Sequence, residues 1–341
     1  MKLSAGKWLG LRRLADASGR FKITAVDQRP PIQNEIRARR GSTEAPWKDV
    51  ADVKRVLAES LAAESTALLM DPLYAWPRAH GALQHDQGLM LTLEHAAFEE
   101  TPGGRRSSLI PEWTTAKIKR VGADGVKLLA WYRPDASEHI LEHQQDFVRR
   151  VGQDCIRYDI PFLLELLVYP LPNEAPDVVE RHKSKFVLDS VREFAKPEYA
   201  VDLFKLESPV TDSELGDPDA KQASPVQQVF MEMGNLAGCP WVMLSAGTTA
   251  ANFRRILKYA YRAGASGFLA GRAIWWKAFT DNFPDLEAMR GALLADGLNY
   301  LRDLNTLTDA TAIAWTAHPV FDKGVCMAGA DHEFALRYEG F

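Results

Sequence analysis

The chain has 341 residues, 46% of them hydrophobic and 25% charged, with 15 Phe, 9 Trp and 9 Tyr. That composition excludes a disordered or fibrous protein. Lys+Arg is 41 against Asp+Glu 45, a net charge of −4, so no global basic bias points to nucleic acid.

At roughly 150 residues per domain the length suggests two domains, but an α/β barrel of this size folds as one unit. The N-terminal stretch MKLSAGKWLGLRRLADASGR is basic and lacks the apolar core of a signal peptide. The longest uncharged stretch, Met233 to Phe253, contains Asn235, Gly238, Pro240 and Ser245, and is a poor membrane span. Cys155, Cys239 and Cys326 are too scattered for a disulfide framework or a CxxC metal site. These features indicate a cytoplasmic protein that binds neither membrane nor nucleic acid.

Eight short apolar runs follow in chain order, each ending near a polar or charged residue. They are Ile23–Asp27, Ala67–Asp71, Leu89–Glu94, Gly125–Trp131, Phe162–Tyr169, Leu203–Glu207, Trp241–Gly247 and Gly267–Arg272. Near-continuous rather than alternating apolar runs suit strands buried on both faces, as in a parallel sheet. Helical periodicity fills most intervals, over Trp47–Glu64, Ser137–Val151, Ser184–Phe194, Ser224–Met233 and Ala250–Ala263, with further helix in 277–303. Tyr74–Gln87 holds Pro77 and Gly81 and cannot form a long helix. Eight alternating units predict a (β/α)8 TIM barrel. The doubly wound alternative would place a GxGxxG loop after the first strand, where this chain has Asp27-Gln28-Arg29-Pro30-Pro31. We therefore read 1–341 as a single barrel domain. It carries extensions at 1–21 and about 317–341, the second free to pack on the barrel, reach a neighbouring subunit or move.

In such a barrel the active site lies at the C-terminal ends of the strands. The polar residues and tight-turn positions there are Asp27, Gln28, Arg29, Asp71, Glu94, Lys127, Glu165, Lys205, Glu207, Ser245, Ala246, Gly247, Gly271 and Arg272. Lys127, Glu165 and Lys205 sit inside apolar runs on three successive strands. The bland reading is a structural ion pair. Ions in a sheet core are costly, however, and a cluster of them is a candidate catalytic site. A free lysine is only about 0.04% neutral at pH 7. Burial and a second ammonium both lower its pKa, as amine attack on a carbonyl requires, and a glutamate can shuttle the protons. Either lysine could be the nucleophile on this evidence. Ser245-Ala246-Gly247 and Gly271-Arg272 end the seventh and eighth runs. Loops there often bind phosphate, with glycine admitting the anion to backbone N–H groups and arginine adding charge. His139 and His143 share i,i+4 spacing but fit an exposed helix face better than a metal site. The charges around Arg105 and Arg37–Arg40 read as solvated surface or loop charges.

AVDQR (25–29), LLMDP (68–72), GADGVKLL (122–129), PFLLEL (161–166), DLFKLESPV (202–210), LSAG (244–247) and AGRAIW (270–275) run in one order from about residue 20 to 315. This pattern resembles the class I tagatose-1,6-bisphosphate aldolase family, with its sulfofructose-phosphate aldolase relatives. The resemblance implies a (β/α)8 barrel and retro-aldol cleavage through a Schiff base, with no metal or cofactor. It implies Lys205 as the imine-forming lysine, Lys127 as its cationic partner, Glu165 as acid/base and Asp27 as a further catalytic group. Gln28, Arg29, Ser245, Ala246, Gly247, Gly271 and Arg272 would bind a sugar phosphate. The products from tagatose 1,6-bisphosphate would be dihydroxyacetone phosphate and glyceraldehyde 3-phosphate. A sulfofructose 1-phosphate or another ketose 1-phosphate is an alternative substrate, and a metabolite-sensing regulator on the same barrel is a second alternative. Pro30-Pro31, which would stiffen the first loop, and the Pro-rich Tyr74–Pro77 and Tyr169–Pro172 depart from the family pattern. They border the distal end of the substrate, which leaves that group open. The outer helices and the tail leave association into a homo-oligomer open as well.

Overall fold

The computed structural model describes residues 2–338. Among them, eight parallel strands close a barrel in sequential order. The strands are β1 (Phe21–Ala25), β2 (Ala67–Met70), β3 (Gly88–Thr92), β4 (Gly125–Trp131), β5 (Phe162–Leu167), β6 (Leu203–Leu206), β7 (Trp241–Met243) and β8 (Gly267–Ala270). Each falls within or overlaps its predicted run. β8 closes the ring on β1, with Gly267 opposite Phe21 and Ala270 opposite Thr24. The architecture is the (β/α)8 TIM barrel expected from the alternation of runs.

The apolar runs are continuous because each strand has two dry faces. Outward residues such as Val126, Leu128, Ala130, Leu164 and Phe204 pack under the helices. Inward residues such as Ile23, Ala67, Leu69, Met90, Leu163, Leu203, Val242 and Leu269 fill the lower barrel. Strand pleat then dictates which polar residues face inward, since residues two apart share a face. Asp27 follows Ile23 and Ala25, Lys127 follows Gly125, Glu165 follows Leu163, and Lys205 follows Leu203.

The predicted helices are present as Trp47–Leu61, Glu138–Arg157, Lys183–Phe194, Ser224–Ala237 and Ala250–Arg262, followed by Arg272–Asn282, Leu286–Ala292 and Leu298–Thr311. Between β2 and β3 only Ala75–Ala79 and a short 3-10 turn form, consistent with Pro77 and Gly81. The structure corrects the reading of Pro30-Pro31. They do not merely stiffen a loop; they occupy the first turn of a helix, Pro30–Arg40, where a missing N–H costs nothing. Arg37–Arg40 therefore lie at the C-terminal end of a helix, a favourable place for cations.

The two extensions meet under the barrel. Lys2–Leu3 pairs in parallel with Cys326–Met327. A helix, Ala5–Leu14, buries Leu11 and Leu14 together with Trp315 and Phe321 against the inward residues of the lower barrel. Asp159 accepts from the backbone N–H of Gly6 at 2.7 Å and Lys7 at 3.1 Å, and from the Tyr338 hydroxyl at 2.6 Å. One carboxylate thus caps the first helix and holds the tail. Of the tail options, packing on the barrel is the one adopted through residue 338; residues 339–341 lie outside the described residues.

Because Leu11 is wholly buried in this floor, Leu11→Ala should destabilise the fold by about 2–5 kcal/mol. Urea denaturation would measure it, and a loss under about 1 kcal/mol would show that the floor is dispensable.

Candidate active site

Lys127 on β4 is the hub of the upper barrel. Its Nζ lies 3.0 Å from Asp27 Oδ2, 2.7 Å from Glu94 Oε1 and 2.9 Å from Glu165 Oε2. Asp27 and Glu94 lie just past the ends of β1 and β3, and Glu165 lies within β5. Lys205 on β6 lies 2.9 Å from the same Glu165 Oε2. Register brings the last pair together, since Glu165 and Lys205 are direct neighbours across β5 and β6. One carboxylate oxygen therefore joins both lysines, and all these side chains are buried.

Electrostatics separates the two amines. Burial alone would lower the pKa of Lys127, but Asp27, Glu165 and Glu94 overcome it and raise it well above the ordinary lysine value. Lys127 is a fixed ammonium. Burial would raise the carboxyls of Asp27 and Glu165, yet Lys127 and Lys205, with Arg29 acting on Asp27, hold both below the ordinary carboxylate range. Lys205 has a single carboxylate contact.

Further residues brace this cluster. Arg29 donates Nη1 to the Glu94 backbone oxygen at 2.9 Å and Nη2 to Glu94 Oε1 at 3.1 Å. The second Glu94 oxygen accepts from the Leu129 N–H at 3.1 Å. Glu94 appeared in the sequence only as a strand-end acid, without a role. Lys54 is a buried member of this bracing that the strand-end pattern does not reveal. It donates to the Val26 carbonyl and to Asp71, each at 2.6 Å, directly behind Asp27. Its signal was a lysine on the apolar stripe of Trp47–Leu61, four residues after Val50 and three before Leu57. Asp71 also accepts from the N–H groups of Leu73 at 2.9 Å and Tyr74 at 2.8 Å, so it ties the loop after β2. Glu207 accepts from Val168 N–H at 2.7 Å and from Lys183.

The second constellation forms beside β1. Ala246 and Gly247 both adopt left-handed backbone, and the Arg272 guanidinium lies over Gly247. Gly271 precedes the helix Arg272–Asn282. A Cβ there would stand 2.6 Å from the Ala25 carbonyl and 2.8 Å from Gln28 Nε2, so only glycine lets the first and eighth loops approach this closely. Ser245 is buried at the end of β7. Gln28, Ser245, Gly247, Gly271 and Arg272 thus gather at one side of the barrel mouth, with exposed Ala246 at the turn. His139 and His143 stay on the helix Glu138–Arg157, His143 bonded to the Ser107 carbonyl at 2.9 Å.

With this geometry in view, the comparisons decide the family. The DeoC/LacD family aldolase model matches residues 21–277. The chain belongs to the DeoC/LacD aldolase family. A relative named tagatose 1,6-diphosphate aldolase 2, from Enterococcus faecalis, is 31% identical over 336 residues, covering 95% of this chain and all (100%) of the relative. Tagatose 1,6-diphosphate aldolases of Listeria monocytogenes and Lactococcus lactis are 32% and 30% identical, over 92% and 93% of this chain and 95% and 99% of their own lengths. Among solved structures, a Schiff base forming fructose-1,6-bisphosphate aldolase superposes with a TM-score of 0.58 at 17% identity, covering 88% of this chain and 98% of its own. The Plasmodium falciparum fructose-bisphosphate aldolase gives 0.60 at 13% identity, covering 92% and 97%. The likeness to these last two is one of fold. As a member of an aldolase family, the DeoC/LacD protein is a lyase. Among its described residues no helix is long and apolar enough to cross a membrane.

The hub yields a pH prediction. Removing its cation by Lys127→Met leaves three buried carboxylates facing one another, at a cost of about 3–5 kcal/mol near pH 8. In the wild type, Asp27 and Glu165 are depressed, so their contribution is present above the ordinary carboxylate range and lost as pH falls through their lowered values. In the variant those acids are raised, the fold takes up protons, and its stability grows as pH falls toward 5. Urea denaturation from pH 8 to pH 5 should show the gap between the two proteins narrowing. A pH-independent gap would mean that the carboxylates are not coupled through Lys127.

Proposed function

We propose that this family member is a class I aldolase that cleaves a ketose 1,6-bisphosphate of the tagatose type through a Schiff base on Lys205. The observation that carries the assignment is the unequal pairing of the two lysines. Lys127 is locked as an ammonium by three carboxylates, whereas Lys205 touches only Glu165. Glu165 bridges the two and is placed to take the proton from Lys205.

The chemistry follows from these positions. The neutral Lys205 amine adds to the C2 ketone, and the carbinolamine loses water to give an iminium. Glu165 supplies and removes the protons of that dehydration. Removal of the C4 hydroxyl proton then breaks the C3–C4 bond, and its electron pair moves into the iminium to form an enamine. Glyceraldehyde 3-phosphate departs. Protonation of the enamine at C3 and hydrolysis of the imine release dihydroxyacetone phosphate and restore Lys205. Asp27, held ionised against Lys127, lies beside the reacting carbons, with Gln28 and Arg29 completing that wall. The Ser245-Ala246-Gly247 turn, Gly271 and Arg272 at a helix N-terminus suit the phosphate at C1. All three cysteines are free, which supports action in the reducing cytoplasm.

Borohydride reduction with dihydroxyacetone phosphate, followed by peptide mass spectrometry, should place the adduct on Lys205. Lys205→Ala should abolish it. Glu165→Gln should lower kcat by about 10²- to 10⁴-fold and leave the fold intact. An adduct on Lys127, or cleavage that a chelator abolishes, would refute the assignment.

A further inference from the structure

Cations on the β4–β6 side of the mouth are mostly neutralised. Arg133 is held by Glu174 at 2.7 Å and Asp135 at 2.9 Å, and Lys183 is paired with Glu207. Arg105 differs. It lies on a hairpin, Glu99–Thr101 with Gly104–Arg106, inserted between β3 and β4. Its guanidinium is 4.1 Å from the Phe98 ring, 4.6 Å from Tyr169 and 4.8 Å from Trp131. The side chain is only 15% exposed, not the solvated surface charge expected from the sequence. No nitrogen of its guanidinium donates a hydrogen bond to a described residue, and the buried Nε has only a long ion pair. Its one acid, Glu100, is 3.5 Å away and half exposed.

The platform under Arg105 is aimed into the barrel. Trp131 shares the inward face of β4 with Lys127 and Leu129. It stands four residues, about 13 Å of strand, nearer the mouth than Lys127. Tyr169 follows Glu165 and Leu167 with the same parity. The hairpin is clamped in this position: Arg105 N–H donates to the Tyr169 hydroxyl at 2.8 Å. Gly104 makes the clamp possible, because a Cβ there would lie 2.5 Å from that hydroxyl. The closed strand order then sets Arg105 against the other anion site. β4 and β8 are half a turn apart in the ring, so Arg105 and the Gly271-Arg272 loop face each other across the mouth, with Glu165 and the two lysines between and below.

We propose that Arg105 is the specificity-determining residue for the end of the substrate remote from the imine, where it receives a distal tetrahedral anion. The assignment rests on the Schiff-base reading of the site, which fixes the opposite end of the ketose near Arg272. Aromatic faces hold the guanidinium plane and leave its edge for bidentate contact. Phosphate and sulfonate share the chemistry that this edge recognises.

The test compares three substrates in wild type, Arg105→Gln and Arg105→Lys: tagatose 1,6-bisphosphate, tagatose 1-phosphate and a 6-sulfo ketose 1-phosphate. In Arg105→Gln the preference for the bisphosphate over the 1-phosphate, as a ratio of kcat/KM, should collapse by about 10- to 100-fold, the worth of a charge-assisted contact. The change should lie mainly in KM, and Arg105→Lys should recover part of it. A matching collapse with the sulfonate names a general distal-anion site, and a collapse with one anion alone names the physiological group. Equal losses on the bisphosphate and the 1-phosphate, or no loss on either, would overturn the proposal. Borohydride trapping of dihydroxyacetone phosphate separates the two readings. An adduct in both wild type and Arg105→Gln with no change of preference defeats only the Arg105 assignment. No adduct in wild type defeats the Schiff-base reading beneath it.

Discussion

The site is organised by one constraint: an ammonium, Lys127, buried among three carboxylates. Taking such charges out of water is expensive, and the cost is offset only when every partner is well placed. Asp27, Glu94 and Glu165 arrive from β1, β3 and β5, so the cluster depends on the barrel closing with its strands in register. The bracing groups are consequences of the same demand. Arg29 holds Glu94, the Leu129 N–H holds its other oxygen, and Lys54 with Asp71 fixes the carbonyl next to Asp27. Lys127, Lys205 and Arg29 together balance Asp27, Glu94 and Glu165 in charge.

That balance explains the division between the two lysines. From the sequence they are equivalent, each a lysine within an apolar run of a strand. Nothing local distinguishes them, because the difference is the number of acids converging from other strands. Register and ring closure decide it. Glu94 and Lys54 were hard to read for the same reason. Glu94 looks like any strand-end acid until Lys127 and Arg29 are seen to share it, and Lys54 looks like a flaw in an amphipathic helix until it reaches Val26 and Asp71.

The strands were legible because parallel barrel strands are dry on both faces and leave uninterrupted apolar runs. Two helices leave little trace in the sequence. Pro30–Arg40 contributes only Ile32 and Ile36 to the core and is otherwise strongly charged, so its periodicity is thin. Ala5–Leu14 carries two glycines, and the residues it buries are Gly10, Leu11, Leu14 and Lys7, the last paired with Asp202 at 2.7 Å. Its stability comes from lying on the barrel floor beside Trp315 and Phe321, a tertiary effect that propensity does not report. Apolar contacts dominate below the barrel, where Lys7 and Asp202 form one buried ion pair, and the larger ion cluster stands near its mouth.

A charge-balanced centre has a further consequence for recognition. Since the buried cations are neutralised in place, they add little net attraction for an anionic substrate. Attraction must come from cations whose donors are still free, and those stand at the rim: Arg272 over Gly247 beside β8, and Arg105 on its aromatic platform above β4 and β5. In the function we propose, the centre is therefore free to serve proton transfer and amine addition, while the two ends of the substrate are held by groups that take no part in the chemistry. On the proposed division a change at the rim should alter which ketose binds, and a change at the hub should alter whether any ketose is cleaved.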